Sequence, residues 1–158
     1  MELRILHICI YSRLQIKNKY DTLIVLLRGR ILVNIFIVED DHSLRLLYEK
    51  ALNLNGYNVI GSAKDGEEAI EMYKAFKVKP EVIIMDHRMP IKNGIEVTKE
   101  IIENSITNKP KIIFASADKT VKELALLAGA TSFKDKPFSL EKLFNNIEKA
   151  INSPSLSL

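Results

Sequence analysis

Cysteine is nearly absent from this chain. Cys9 is the single one, which excludes an internal disulfide and fits a reducing, cytoplasmic setting. Glycine and proline are sparse too, at 6 and 5 of 158 residues, and no Ser/Thr/Pro-rich tract or repeat is visible. Extended disorder is therefore expected only near the ends. No apolar run reaches the ~20 residues that cross a bilayer; the nearest, LIVLLRGRILVNIFIV, is cut by Arg28, Gly29 and Arg30. A signal peptide is not indicated, because no small-residue cleavage site follows an apolar core. Most of the chain also lacks a basic excess. Residues 1–32 hold 6 of the 23 Lys/Arg and 2 of the 20 Asp/Glu, leaving 17 against 18 in the remainder. The larger part thus offers no positive surface for a phosphate backbone, and no direct nucleic-acid contact is expected.

What is present suffices for one ordinary core. At 158 residues and 47% hydrophobic, the chain is most simply one domain. From residue 31, apolar strands alternate with helix-period segments. Strands are predicted at ILVNIFIV (31–38), YNVIGSA, EVIIM, KIIFA and TSFK. The first helix, near 42–55, places Leu44, Leu47, Tyr48, Ala51 and Leu54 on one face. The second opens at Asp65 with Glu68 three residues on, a capping-box start. A third runs near 93–104, and Thr120 with Glu123 suggests another capping box before the fourth. Gly129 falls where a helix end favours positive φ, and SLEKLFNNIEKAI closes the series as an amphipathic helix. Five β-then-α units with near-continuous apolar strands imply a doubly wound parallel sheet covered on both faces. Sites in such sheets form at the C-terminal strand ends, where the strand order reverses.

The polar residues at those ends are Glu39, Asp40 and Asp41 after the first strand and Asp86 after the third. Ser116 follows the fourth, and Lys136 with Pro137 follows the fifth. Carboxylates crowded on one edge repel unless a cation joins them. Oxygen ligands of this kind suit Mg²⁺, which binds through one or two carboxylates, waters and a phosphate. Asp86 is then a candidate nucleophile able to accept a phosphoryl group, with Lys136 and Ser116 binding the anionic oxygens.

The segments IFIVEDDHSLR, AKDGEEAI, PEVIIMDHRMPIKNGIE, FASAD and KDKPFS, in this order, resemble the receiver domain of two-component response regulators, the CheY-like family. The resemblance implies the flavodoxin-like (βα)5 fold with strand order 2-1-3-4-5. By position it implies Asp86 as phosphoacceptor and Glu39 and Asp40 as the acidic pair, with Asp40 the direct metal ligand and Glu39 acting through water. Asp41 becomes the helix cap. Arg88 would offer its backbone carbonyl to Mg²⁺, Ser116 would be the switch hydroxyl, and Lys136 the phosphoryl-binding lysine. Phe133 stands at the aromatic switch position without the hydroxyl a tyrosine would bring, and an ordinary core role competes with that reading. Arg88 and Asp118 stand where the family tunes phosphoryl lifetime. In the family Pro90 and Gly94 shape the loop after the acceptor, and Pro137 is usually preceded by a cis peptide that aims the lysine inward.

The implied partners are a histidine kinase or phosphotransfer protein as donor and a downstream effector on the face made by helix 4, strand 5 and helix 5 (about 119–151). Homodimerisation is left open. Assigned spans are 1–30 as an N-terminal extension, 31–152 as the receiver and 153–158 as a tail. With only seven residues after Ile151, no output domain is expected, and the effect would pass to a partner. The extension reads either as a basic amphipathic helix meeting a membrane or partner, or as translation from an upstream start with the native chain beginning near Leu32 or Val33. The second, or a marginally ordered appendage, is favoured.

Other chemistries were weighed on the same residues. A Mg²⁺-dependent phosphohydrolase with Asp86 as nucleophile would want a second Asp where Arg88 stands, and a substrate pocket for which the chain has little room. Flavin binding is excluded by EDDH after the first strand, which would repel the phosphate. His42 and His87 lack HxH or HxxxH spacing, so transition-metal ligation is not expected.

Overall fold

The computed structural model describes residues 32–105 and 108–152, so the expectations for the leader and the tail fall outside it. Its strands are β1 (Asn34–Val38), β2 (Asn58–Ala63), β3 (Val82–Asp86), β4 (Lys111–Ser116) and β5 (Ser132–Asp135). All four pairings are parallel, in the order β2-β1-β3-β4-β5 expected from the sequence. The helices are α1 (His42–Leu54), α2 (Gly66–Ala75), α3 (Gly94–Glu103), α4 (Lys122–Leu127, after a 3₁₀ turn at Lys119–Val121) and α5 (Leu140–Asn152).

Alternation along the buried strands feeds two apolar layers. Phe36, Val38, Ile83, Met85, Ile112 and Phe114 face α2, α3 and α4, meeting Ala69, Tyr73, Val97, Ile101 and Ala125. Ile35, Ile37, Val82, Ile84 and Ile113 face the opposite way, against Tyr48 and Leu52 of α1 and Leu143 and Ile147 of α5. Full burial of one such side chain contributes roughly 1.5–3 kcal/mol, so the sheet centre is the most constrained part of the molecule. Because the order reverses between β1 and β3, their C-terminal ends lie side by side at the switch point.

Local signals act largely as expected. Asp41 caps α1 by accepting from the Leu44 N–H at 2.8 Å, and Asp65 caps α2 through the Glu68 N–H at 2.8 Å. The Glu68 carboxylate returns to the Lys64 N–H rather than to Asp65, so the predicted box closes one residue early. A complete capping box occurs at Asn93 and Glu96 instead. Gly129 has φ +111°, as its place after α4 requires.

Three expectations need correction. Strand β1 begins at Asn34 rather than at 31. Thr120 does not cap a helix: its N–H and hydroxyl donate to Asp118, which caps the 3₁₀ turn, while α4 starts without a side-chain cap. Leu47 and Leu54 are 49% and 82% exposed, and the buried position of α1 missed from sequence is Leu52. Five leucines on thirteen residues leave more than one candidate stripe, and the sheet selects the one through Tyr48 and Leu52.

The loop from β3 to α3 carries one unusual residue. Ile91 has φ +70° although it is β-branched and 68% exposed; such a conformation costs roughly 1–2 kcal/mol for a residue with a Cβ. No helix among the described residues is long and apolar enough to cross a membrane.

The corrected face of α1 is checked by truncation. Leu52→Ala is expected to destabilise by about 2–5 kcal/mol, whereas Leu54→Ala should stay within about 0.5 kcal/mol. Urea midpoints of the two variants measure the difference, and equal losses would contradict this packing.

Candidate functional site

Register carries the polar residues to a common edge. Val38 pairs with Met85, so Glu39 leaves β1 level with Asp86 at the end of β3. Asp86 pairs with Ala115, which puts Ser116 one step beyond, and Ser116 pairs with Asp135, directly before Lys136. The Lys136 N–H extends that ladder by donating to the Ser116 carbonyl at 2.9 Å. The Lys136–Pro137 peptide is cis.

Glu39, Asp86 and Ser116 are buried at 2%, 5% and 1% exposure, while Asp40 is exposed. The Lys136 ammonium lies between two of the carboxylates, 2.7 Å from Glu39 Oε2 and 2.5 Å from Asp86 Oδ1. Ligand atoms of Glu39, Asp40 and Asp86 all lie within 4.8 Å of one another. Three carboxylates against one ammonium leave two negative charges uncompensated in that cluster. The donor set is all oxygen and carboxylate-rich, which suits a hard divalent cation better than a soft one. Neither His42 nor His87 joins it among the described residues.

The surroundings fix these groups tightly. A Cβ on Gly94 would stand 2.1 Å from the Asp86 carbonyl oxygen, and the Gly94 N–H donates to the His87 carbonyl at 2.9 Å. Only glycine allows α3 to start so close beneath Asp86. The Glu39 N–H donates to the Ala63 carbonyl at 3.0 Å, and the Arg45 guanidinium donates to the Glu39 carbonyl at 2.7 Å. Ser116 Oγ accepts from the Asp118 N–H at 3.0 Å. Arg88 and Asp118 pair across the rim at 3.5 Å, with the arginine side chain 75% exposed. The Arg88 carbonyl accepts no hydrogen bond among the described residues. Phe133 is half-buried and stacks on Phe114 at 5.9 Å, and the Phe114 ring also lies 5.7 Å from the His87 ring.

Electrostatics follow from this geometry. Burial pushes the Glu39 carboxyl above its ordinary range, only partly offset by Lys136, with Asp86 and Asp40 pushing the same way. Burial alone would lower the Lys136 ammonium, but its hydrogen bonds to Asp86 and Glu39 outweigh that and hold it above the usual lysine value. Asp118 is held below the usual carboxylate range by Thr120 and, secondarily, by Arg88.

The structure brings Glu39, Asp40, Asp86 and Lys136 together, with Ser116 at the adjoining strand end, Arg88 on the rim and Phe133 behind it, while Asp41 caps α1. The sequence reading missed Arg45, the Phe114 and His87 rings behind Phe133, and the Asn93 cap. Asn93-x-x-Glu96 spells a capping box and was available as a signal. Arg45 binds backbone carbonyls, which no side-chain motif announces.

Comparison with known proteins agrees with this geometry. The family model described as the response regulator receiver domain matches residues 35–148. The chain belongs to this family, the CheY-like phosphoacceptor modules of two-component systems. It is 36% identical over 117 residues to the chemotaxis protein CheY of Thermotoga maritima, covering 73% of this chain and 94% of that protein. It is 34% identical over 119 residues to the transcriptional regulatory protein PdtaR of Mycobacterium tuberculosis, covering 75% of this chain but 56% of the length of PdtaR. Among solved structures, CheY in a CheX–CheY–BeF3–Mg complex from Borrelia burgdorferi aligns with a TM-score of 0.70 at 26% identity, over 76% of this chain and 90% of that one. TrrA of Thermotoga maritima in complex with Mg and BeF aligns with a TM-score of 0.65 at 29% identity, over 75% and 99%.

The Glu39 shift has a measurable consequence. A carboxyl raised in the folded state favours folding while it is protonated, and that contribution is lost as pH rises through its folded pKa. In metal-free buffer, Glu39→Gln should therefore be more stable than the parent at pH 7. The difference should close below the ordinary value of 4.5. Urea unfolding at pH 7 and pH 4 tests both points; a less stable variant at pH 7 would refute the sign.

Proposed function

We propose that this chain is a receiver that takes a phosphoryl group onto Asp86 and changes its affinity for a protein partner as a result. The observation that carries this reading is Lys136 lodged between Glu39 and Asp86, beside an exposed Asp40, at the switch point of the sheet. The donor would be the phosphohistidine of a histidine kinase or phosphotransfer protein. One Asp86 carboxylate oxygen attacks phosphorus, the bond to the donor nitrogen breaks, and the histidine leaves with the bonding pair. The product is an aspartyl-phosphate, whose later hydrolysis the same pocket supports.

Each chain residue has a part set by its position. Glu39, Asp40, Asp86 and the Arg88 carbonyl would hold Mg²⁺, with Glu39 acting through water. When bound, that ion offsets the negative charge of the transferring group. Lys136 already touches Asp86 and would keep contact with the phosphoryl oxygens. Ser116 at present accepts from the Asp118 N–H; its hydroxyl hydrogen is free to turn toward the new charge. A phosphoryl group drawing in Ser116 would shift the turn at Ala117–Thr120, to which Asp118 and its cap belong. Phe133 would follow by changing its stack on Phe114, biasing an equilibrium between conformations both already accessible.

The surface of α4, β5 and α5 would transmit the change. It exposes Leu124 and Leu127 at 56% and 84%, apolar area suited to a protein partner, whether an effector or a second copy. A cytoplasmic location follows from this role. The Arg88–Asp118 pair is too exposed to matter much for stability. Its residues stand two positions beyond Asp86 and Ser116, a place that suits the pair to obstruct water attacking the aspartyl-phosphate.

Two experiments test this reading. Incubation with acetyl phosphate and Mg²⁺ should add one phosphoryl mass to the protein and none to Asp86→Asn. Rapid turnover of varied phosphate esters without a detectable adduct would overturn the switch in favour of a hydrolase. For the rim pair, Arg88→Asn should shorten the lifetime of the phosphorylated form several-fold, measured by decay of the adduct; an unchanged lifetime would retire the role given to Arg88.

A further inference from the structure

Asp40 presents a puzzle that Arg45 resolves. Its carboxylate is exposed and has no hydrogen-bond partner among the described residues, yet it lies in the cluster with Glu39 and Asp86. Glu39 is oriented by Lys136, and Asp86 by Lys136 and its place in the ladder. Nothing comparable holds the Asp40 side chain, so its direction is set by its backbone. That backbone has left the sheet at Val38 and has not yet entered α1 at His42.

The Arg45 guanidinium fills that gap. Its Nη1 donates to the Glu39 carbonyl at 2.7 Å and to the Asp40 carbonyl at 3.2 Å, while the Arg45 N–H donates to the Asp41 carbonyl at 2.9 Å. The guanidinium thus holds two consecutive carbonyls of the turn, and the third is closed by the ordinary first backbone bond of α1. On the other side the Glu39 N–H is held by Ala63, and Asp41 Oδ1 is held by the Leu44 N–H. The remaining Nη2 contact, to His42 Nδ1, is long at 3.4 Å. Arg45 is half-buried, which makes its hydrogen bonds stronger than those of a free surface arginine.

We infer that Arg45 is a positioning residue, clamping the turn after β1 so that the Asp40 carboxylate is pre-aimed at the cation site. The inference rests on the Mg²⁺ reading given above. It makes a prediction whose sign separates it from simple electrostatics. A positive charge close to a cation site weakens cation binding, so removing it by charge alone should tighten Mg²⁺ several-fold. A clamp acts in the opposite direction, since loss of a group that orients a metal ligand lowers metal affinity by about 10–100-fold.

The test is calorimetric titration of the purified chain with Mg²⁺, for the parent, Arg45→Met and Arg45→Lys. The clamp predicts binding about tenfold weaker in Arg45→Met and an intermediate loss in Arg45→Lys, which keeps the charge but not the planar fork. Unchanged or tighter binding in Arg45→Met overturns it. Amide hydrogen exchange without metal gives a second readout. The Glu39 N–H, bonded to the Ala63 carbonyl, and the Leu44 N–H, bonded to Asp41, should exchange faster in both variants while the core of β3 keeps its protection, and unchanged exchange at these two amides also overturns the clamp. Should the parent fail to bind Mg²⁺, the metal reading falls by itself, and the exchange measurement still decides whether Arg45 holds the turn. Should Arg45→Met not fold, Arg45→Lys carries both readouts.

Discussion

A lysine ammonium wedged between two buried carboxylates governs the working edge of this sheet. Glu39 and Asp86 lie close together in an interior that disfavours even one isolated charge, and Lys136 makes their coexistence tolerable. That ammonium arrives only because β5 is the outermost strand beside β4 and ends one residue before it. The whole parallel order is therefore needed to bring residues 39, 86 and 136 together. One ammonium among three carboxylates still leaves the cluster negative, so it attracts further cations instead of resting as a closed ion pair. Burial holding Glu39 above its ordinary range is the local cost of keeping that attraction, a familiar exchange of stability for function.

Much of this was legible in the residues. Apolar runs ending on Glu39, Asp86, Ser116 and Lys136 located the edge, because a buried parallel strand tolerates charge only where it stops. Asp41, Asp65 and Gly129 marked helix ends through local chemistry, which short sequence carries well. The failures share a cause. Leu47 and Leu54 satisfy a helical period as well as Leu52 does, and only the third dimension chooses between stripes. Thr120 and Glu123 have the spacing of a capping box, but the Thr120 hydroxyl and N–H both donate to Asp118 instead. Arg45 and the His87–Phe114–Phe133 rings act across elements, on carbonyls or faces that sequence order does not encode.

The face formed by α4 and β5 is built differently from the site. Helix α4 is six residues long and buries only Ala125, while its leucines at 124, 126 and 127 are exposed. A short helix with one anchor is held weakly and moves at low cost. The stacked ring of Phe133 joins its neighbouring strand to the centre of the sheet. Anchoring is therefore firm at the acidic edge and looser at α4.

The backbone at Ile91 adds a last consideration. A branched, solvent-facing side chain forced to positive φ stores tension in the very segment linking Asp86 to α3. A spring already wound needs only a small push to let go. Any rearrangement of this loop would start from a conformation that its own isoleucine disfavours.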